Sequence, residues 1–159
     1  MEPVKSLVVA LGNRLVGPDG FGAAVLERVR GVPGLREVAD LADACTDLLG
    51  RIEQIARYQR VILVDAIVGG EPSGQVEVYD ERRFAEWPDT SPGCHQISPL
   101  LAVKLLRQLH PGATPQVLLV GWSVNEVSRA AGVSDVAVEE GARLVAGLLG
   151  ISAQPMPRR

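Results

Sequence analysis

Three short apolar runs constrain this chain more than any other feature: Ser6-Leu-Val-Val-Ala-Leu11, Val61-Ile-Leu-Val64 and Val117-Leu-Leu-Val120. None alternates between apolar and polar residues, and each is bounded by glycine, aspartate or proline. A strand that is apolar at every position has both faces covered, the condition of a parallel sheet packed between helices. Leu35–Leu41 adds a weaker strand pattern. Gln75-Val-Glu-Val-Tyr79 alternates, as expected of an edge strand, and is the one antiparallel member.

Helical patterns lie between these strands. Phe21, Val25, Leu26 and Val29 repeat at helical spacing until Gly31 and Pro33, and Leu48, Leu49, Ile52 and Ile55 do the same. Ser98-Pro99 supplies an N-cap and a proline at the first helical position, opening Leu100–Leu109. Ser134 caps a last helix with Val138, Ala142, Val145 and Leu149 on one stripe, along which Glu139 and Arg143 are spaced to pair. The order β-α-β-α-β-β-α-β-α predicts an α/β three-layer sandwich. Its sheet is mostly parallel, five-stranded and twisted, with one antiparallel edge strand. Crossovers are right-handed and functional residues gather at the carboxyl ends of the strands. Residues 1–150 are expected to form one domain and 151–159 a flexible tail.

With 159 residues the chain can bury a core without disulfides. A formal charge of −3 with no basic run argues against a nucleic-acid partner. No apolar run is long enough for a signal segment or a membrane span. Cys45 and Cys94 form no CxxC pair, so reduced thiols in the cytoplasm are the expectation.

Three segments can carry chemistry. Gly12-Asn-Arg-Leu-Val-Gly-Pro-Asp-Gly-Phe-Gly22 joins the first strand to the first helix, where a phosphate often binds. Its spacing matches neither GxGxxG nor GxxxxGK[ST], it has no lysine, and Asp19 puts a negative charge where a phosphate would sit. The loop suits a cation or a neutral group, unless Asp19 only complements the helix dipole. Asp65 ends the second apolar run at the same sheet edge, either as an open carboxylate or as a turn residue. His95, in Ser91-Pro-Gly-Cys-His-Gln-Ile-Ser-Pro99, precedes a helix cap. His110 stands before Pro111-Gly112, where a helix end accounts for it. Two carboxylates and one imidazole from three loops form an O,O,N set suited to a borderline divalent ion with open positions. A nucleotide-binding alternative draws on Asp40 or Asp43, about 20 residues past the glycine loop.

In order and spacing, from about residue 6 to 150, the chain resembles the hydrogenase maturation endopeptidases. The Gly12-Asn13 loop with Asp19 resembles the family's opening motif, the strand ending at Asp65 its second, and His95-Gln96 its third. Asp43-Ala-Cys-Thr46-Asp-Leu-Leu49 is similar to its segment of glycines, threonine and leucines. The resemblance implies an endopeptidase that removes the C-terminal extension from a nickel-loaded hydrogenase large-subunit precursor. Asp19, Asp65 and His95 would be metal ligands, Asp19 and Asp65 the catalytic carboxylates, and the nickel would be supplied by the substrate to a monomeric enzyme. Two departures stand out: Pro18 replaces the first of two acids in the opening loop, and Ala44-Cys45 replaces glycines. Gly121-Trp122-Ser123-Val124 also differs from the usual sequence, with Trp122 either a partner contact or a core indole. A non-catalytic metal-binding or hydrogenase-assembly module on the same fold is the alternative.

Overall fold

The computed structural model describes residues 5–69, 72–86, 98–125 and 132–152. Its five strands are β1 (Ser6–Leu11), β2 (Ala39–Cys45), β3 (Arg60–Val68), β4 (Val76–Asp80) and β5 (Gln116–Val124), in the sheet order β2-β1-β3-β5-β4. The first four in that order are parallel and β4 runs antiparallel along β5. The helices are α1 (Phe21–Arg30), α2 (Leu35–Val38), α3 (Ile52–Ile55), α4 (Glu81–Ala85), α5 (Pro99–Leu109) and α6 (Asp135–Leu148).

The uninterrupted apolar runs have the consequence expected of them. Leu7, Val9, Val61, Leu63 and Leu119 point to one face, under α3, α4 and α5. Val8, Ala10, Ile62, Val64 and Val120 point to the other, against α1 and α6. Consecutive residues of a strand face opposite ways, so covering both faces requires both sets to be apolar. Each fully buried valine or leucine stabilises by roughly 1.5–3 kcal/mol relative to exposure.

The glycine that opens α1 sets how near this helix lies to the sheet. A Cβ on Gly22 would fall 2.5 Å from the Val64 carbonyl oxygen and 2.6 Å from that of Leu11. Both obstacles are backbone atoms of central strands and cannot turn away. Gly22→Ala is therefore expected to destabilise the fold by about 3 kcal/mol, the upper end for overpacking. A urea midpoint unchanged from wild type would contradict this.

Several local expectations are corrected. In Leu35–Leu41 the first four residues form the α2 turn, and pairing begins only where Ala39 meets Ser6. Helix α4 was not expected, although Asp80 marks its start by accepting the Arg83 N–H at 3.0 Å. Glu139 does not pair with Arg143. It takes Arg28 of α1 at 2.7 Å, while Arg143 bonds Glu140. Gly121–Val124 does not follow the last strand but belongs to β5, because Asp65–Val68 continue the pairing opposite it. Ile151 packs against the α1/α6 side of the core, and its N–H bonds the Ala146 carbonyl at 3.0 Å.

Candidate functional site

Strand β1 lies between β2 and β3, so the chain leaves it for one neighbour and later returns to the other. Such a reversal opens a crevice at the carboxyl ends of the two central strands, where open α/β sheets bind ligands. Asp19 lies in the connection leaving β1 and Asp65 in β3. The register Ala10–Val64 sets Leu11 level with Asp65.

The loop after β1 is folded around Asp19. Gly12 has φ +99°, and its N–H reaches the Cys45 carbonyl at 2.8 Å. Asn13 then donates its N–H to Asp19 Oδ2 at 2.6 Å, and Asp19 donates its own to the Val16 carbonyl at 2.9 Å. The residue is buried. A Cβ on Gly12 would lie 2.2 Å from the Asp19 carbonyl oxygen and 2.9 Å from its Oδ1, so only glycine fits. This carboxylate takes a loop N–H that a phosphate would need. Asp40 and Asp43 are also engaged: Asp40 accepts the Tyr58 hydroxyl at 2.7 Å, and Asp43 pairs with Arg14. Neither is a free ribose-binding acid.

Asp65 is in a different condition. Part of the residue is open to solvent, but Oδ1 is wholly enclosed and has no hydrogen-bond partner. Burial first, then the negative charge of Asp19, push its carboxyl up to about 8, against the opposing hydrogen bond from Ala66 N–H. At neutral pH the folded protein therefore holds a proton here. Opposite Asp65 in β5 stands Gly121, and Ile67 fills the position its side chain would occupy, 2.1 Å between the terminal methyl and an ideal Cβ. An apolar wall beside a carboxyl is what raises its proton affinity.

His95 and Cys94 lie outside the described residues. The elements on either side of that segment, α4 and α5, cover the face on which Asp65 follows Val61 and Leu63. Among the described residues no group of three or more His, Cys, Asp or Glu side chains is placed to hold a metal ion. His110 ends α5: its N–H reaches the Leu106 carbonyl and its Nε2 lies 2.9 Å from Glu53. Trp122 is a core indole, 8% exposed, with its ring 5.4 Å from that of Phe21.

Arg14, Asp43 and Cys45 matter more to this edge than their sequence suggests. The Arg14–Asp43 ion pair ties the Asp19 loop to the end of β2. Cys45 adopts φ +50°, rare for a residue with a Cβ, and the Asp43 side chain supports it by accepting the Cys45 N–H at 3.0 Å. The thiol also donates to Asp43 at 3.4 Å, which, with burial, pushes its pKa up and keeps it protonated. An aspartate two residues before a required left-handed position was the only signal available for this arrangement.

No family model and no curated protein sequence matches the chain. Solved structures do. The NiFe hydrogenase maturation protease HycI from Thermococcus kodakarensis superposes with a TM-score of 0.70 at 17% identity, over 92% of this chain and 91% of that one. The hydrogenase maturating endopeptidase HybD from E. coli gives 0.73 at 20% identity, over 92% of each chain. The hydrogenase 2 maturation peptidase from a Thaumarchaeota archaeon gives 0.64 at 23% identity, over 93% and 99%. The chain has the fold of these proteases along nearly its whole length.

Proposed function

We propose that this protein is an endopeptidase that removes the C-terminal extension from the nickel-loaded precursor of a nickel–iron hydrogenase large subunit. The observation that carries this reading is the Asp19–Asp65 pair at the crevice of a maturation-protease fold. Two carboxylates close enough for the charge of one to act on the other, one with an enclosed and unpartnered oxygen, are unfavourable until a cation joins them. The donor chemistry suits a divalent ion: Asp19 and Asp65 would supply oxygen and His95 an imidazole. In this reading the nickel is part of the substrate, and the three residues grip it only when it arrives.

Held by these residues, the ion would supply Lewis-acid polarisation of the scissile carbonyl or of the attacking water. The protein's residues do the rest. Asp65 releases its proton to solvent as positive charge enters. One aspartate takes the proton of the attacking water as the carbon–oxygen bond forms. The same proton passes to the leaving amine as the carbon–nitrogen bond breaks. The enzyme would act as a cytoplasmic monomer. Among the described residues no helix is long and apolar enough to cross a membrane.

A second reading, a nickel-binding assembly module without cleavage, draws on Pro18. It stands buried in the short 3-10 turn Gly17–Gly20, where the resemblance calls for an acid. Incubating the purified protein with nickel-loaded precursor and weighing the precursor distinguishes the two. A mass loss equal to the C-terminal extension is expected. Tight nickel binding with no change in mass would favour the assembly module.

A further inference from the structure

We infer that the open edge of β2 and the basic pocket at its start form a binding site for an extended acidic peptide of a partner protein, which joins the sheet as a sixth strand. The site is separate from the Asp19–Asp65 crevice and independent of the reaction proposed there. The crevice lies at the carboxyl ends of the strands, whereas Lys5 precedes β1, Ala39 begins β2 and Arg30 ends α1. The seven residues of β2 span roughly 20 Å between the two places.

A strand at the edge of a sheet carries a row of unpaired N–H and C=O groups that invite another strand unless something covers them. This sheet has two edges, β4 and β2. At β4 the Arg83 guanidinium donates to the Val78 carbonyl at 2.9 Å and lies over the Tyr79 ring. The far end of β2 is covered in the same way, where Arg51 donates to the Asp43 carbonyl at 3.1 Å. The left-handed Cys45 then ends the extended run. Among the described residues no side chain bonds the backbone of Ala39–Leu41, and this stretch is the one that borders a pocket.

The pocket holds about 360 Å³, within the range of ligand sites, and Leu35 and Leu41 contribute apolar surface to it. Its charged side chains are Lys5, Arg30 and Arg36 against the single acid Asp40. In a chain of net charge −3 that is a local reversal of sign, and it selects an acidic occupant. The cations are not spent on the protein's own acids. Lys5 lies 3.5 Å from Asp40 and Arg30 3.6 Å from Glu27, with all four side chains about half exposed, so these pairs are weak and exchangeable. Arg36 is exposed and has no ion pair among the described residues. The two faces of the edge differ as well. Ala39 and Leu41 lie on the α1 side of the sheet, while Asp40 lies on the other, where it accepts the Tyr58 hydroxyl. Successive side chains of an added strand also face opposite ways, so alternating apolar and acidic residues fit this edge.

The probe is a labelled heptapeptide of alternating valine and glutamate, capped at both ends, and the readout is fluorescence anisotropy with the full chain at low salt. Wild type is expected to bind it. Lys5→Glu and Arg36→Glu should each bind at least about ten-fold more weakly, and Arg82→Glu, on α4 beside the other edge, should match wild type. All four proteins should melt alike, since each altered side chain is exposed. Two further peptides, N-methylated at alternate residues in opposite phases, test the strand pairing: one phase should abolish binding and the other should keep it. Absence of binding to wild type overturns the proposal, whether the edge is bare or held by a second copy or by residues 153–159 of the chain. So does equal binding of a peptide with lysine in place of glutamate, or an equal response to the two methylation phases. Displacement by inorganic phosphate at the peptide's own concentration would also overturn it, because the pocket would then be a site for small anions.

Discussion

Replacing Asp65 with asparagine is expected to stabilise the folded protein at pH 7 by about 2–4 kcal/mol while removing its activity. The carboxyl is raised from 3.8 to about 8 in the folded state. Between those values the folded protein binds more protons than the unfolded chain, so stability falls as pH rises. The contribution is fully present below about pH 4, is lost progressively up to about pH 8, and changes no further above it. At pH 7 the part of the shift between 3.8 and 7 corresponds to roughly 4 kcal/mol at about 1.4 kcal/mol per unit, and an unpaired amide in place of the carboxyl offsets part of it. Urea titrations from pH 5 to 9 should show a slope in wild type that is nearly absent in Asp65→Asn. Equal stability of the two proteins at pH 7 would contradict this account of Asp65. A residue that destabilises the resting protein and is nevertheless present is what a cation-gripping role predicts.

Asp19→Asn is expected to lower cleavage of nickel-loaded precursor by at least about a thousand-fold with the fold intact. An asparagine side-chain oxygen can still accept the Asn13 N–H that Asp19 Oδ2 takes at 2.6 Å, so the loop keeps its principal bond. What disappears is the negative charge, which is both half of the carboxylate pair and the second cause of the raised Asp65 pKa. The same variant should therefore weaken the pH dependence of stability. The two substitutions should not be additive, because each removes part of what makes the other matter. Full activity in Asp19→Asn would remove Asp19 from the site. A pH slope equal to wild type would show that the two carboxyls do not interact.

Much of this fold can be read from the chain because both faces of its sheet are covered. Ser6–Leu11 carries no polar residue after Ser6, so its place in the centre of the sheet follows from composition alone. Ser98 and Ser134 announce their helices by chemistry that operates within three residues: each hydroxyl accepts an N–H at 3.2 Å, from Leu101 and Ala137. Short helices such as α2 are less legible, since four residues carry too little periodicity. Nor can a sequence say that Glu139 will choose Arg28, 111 positions away, over Arg143 on its own helix. The site divides the same way. Asp65 after its apolar run and Asp19 in a glycine loop can be picked out, although β3 runs three residues beyond Asp65, to Val68. The enclosure of Asp65 Oδ1, the apolar wall made by Ile67 over Gly121, and the left-handed Cys45 held by Asp43 depend on tertiary packing.

The most direct measurement weighs the precursor after incubation in four combinations: nickel-loaded or nickel-free, with wild type or with His95→Ala. Mass loss at the C-terminus is predicted only for the nickel-loaded precursor with wild type, which is what the proposed grip of Asp19, Asp65 and His95 on substrate-borne nickel requires. Equal cleavage of nickel-free precursor, or cleavage by His95→Ala at the wild-type rate, would contradict the account.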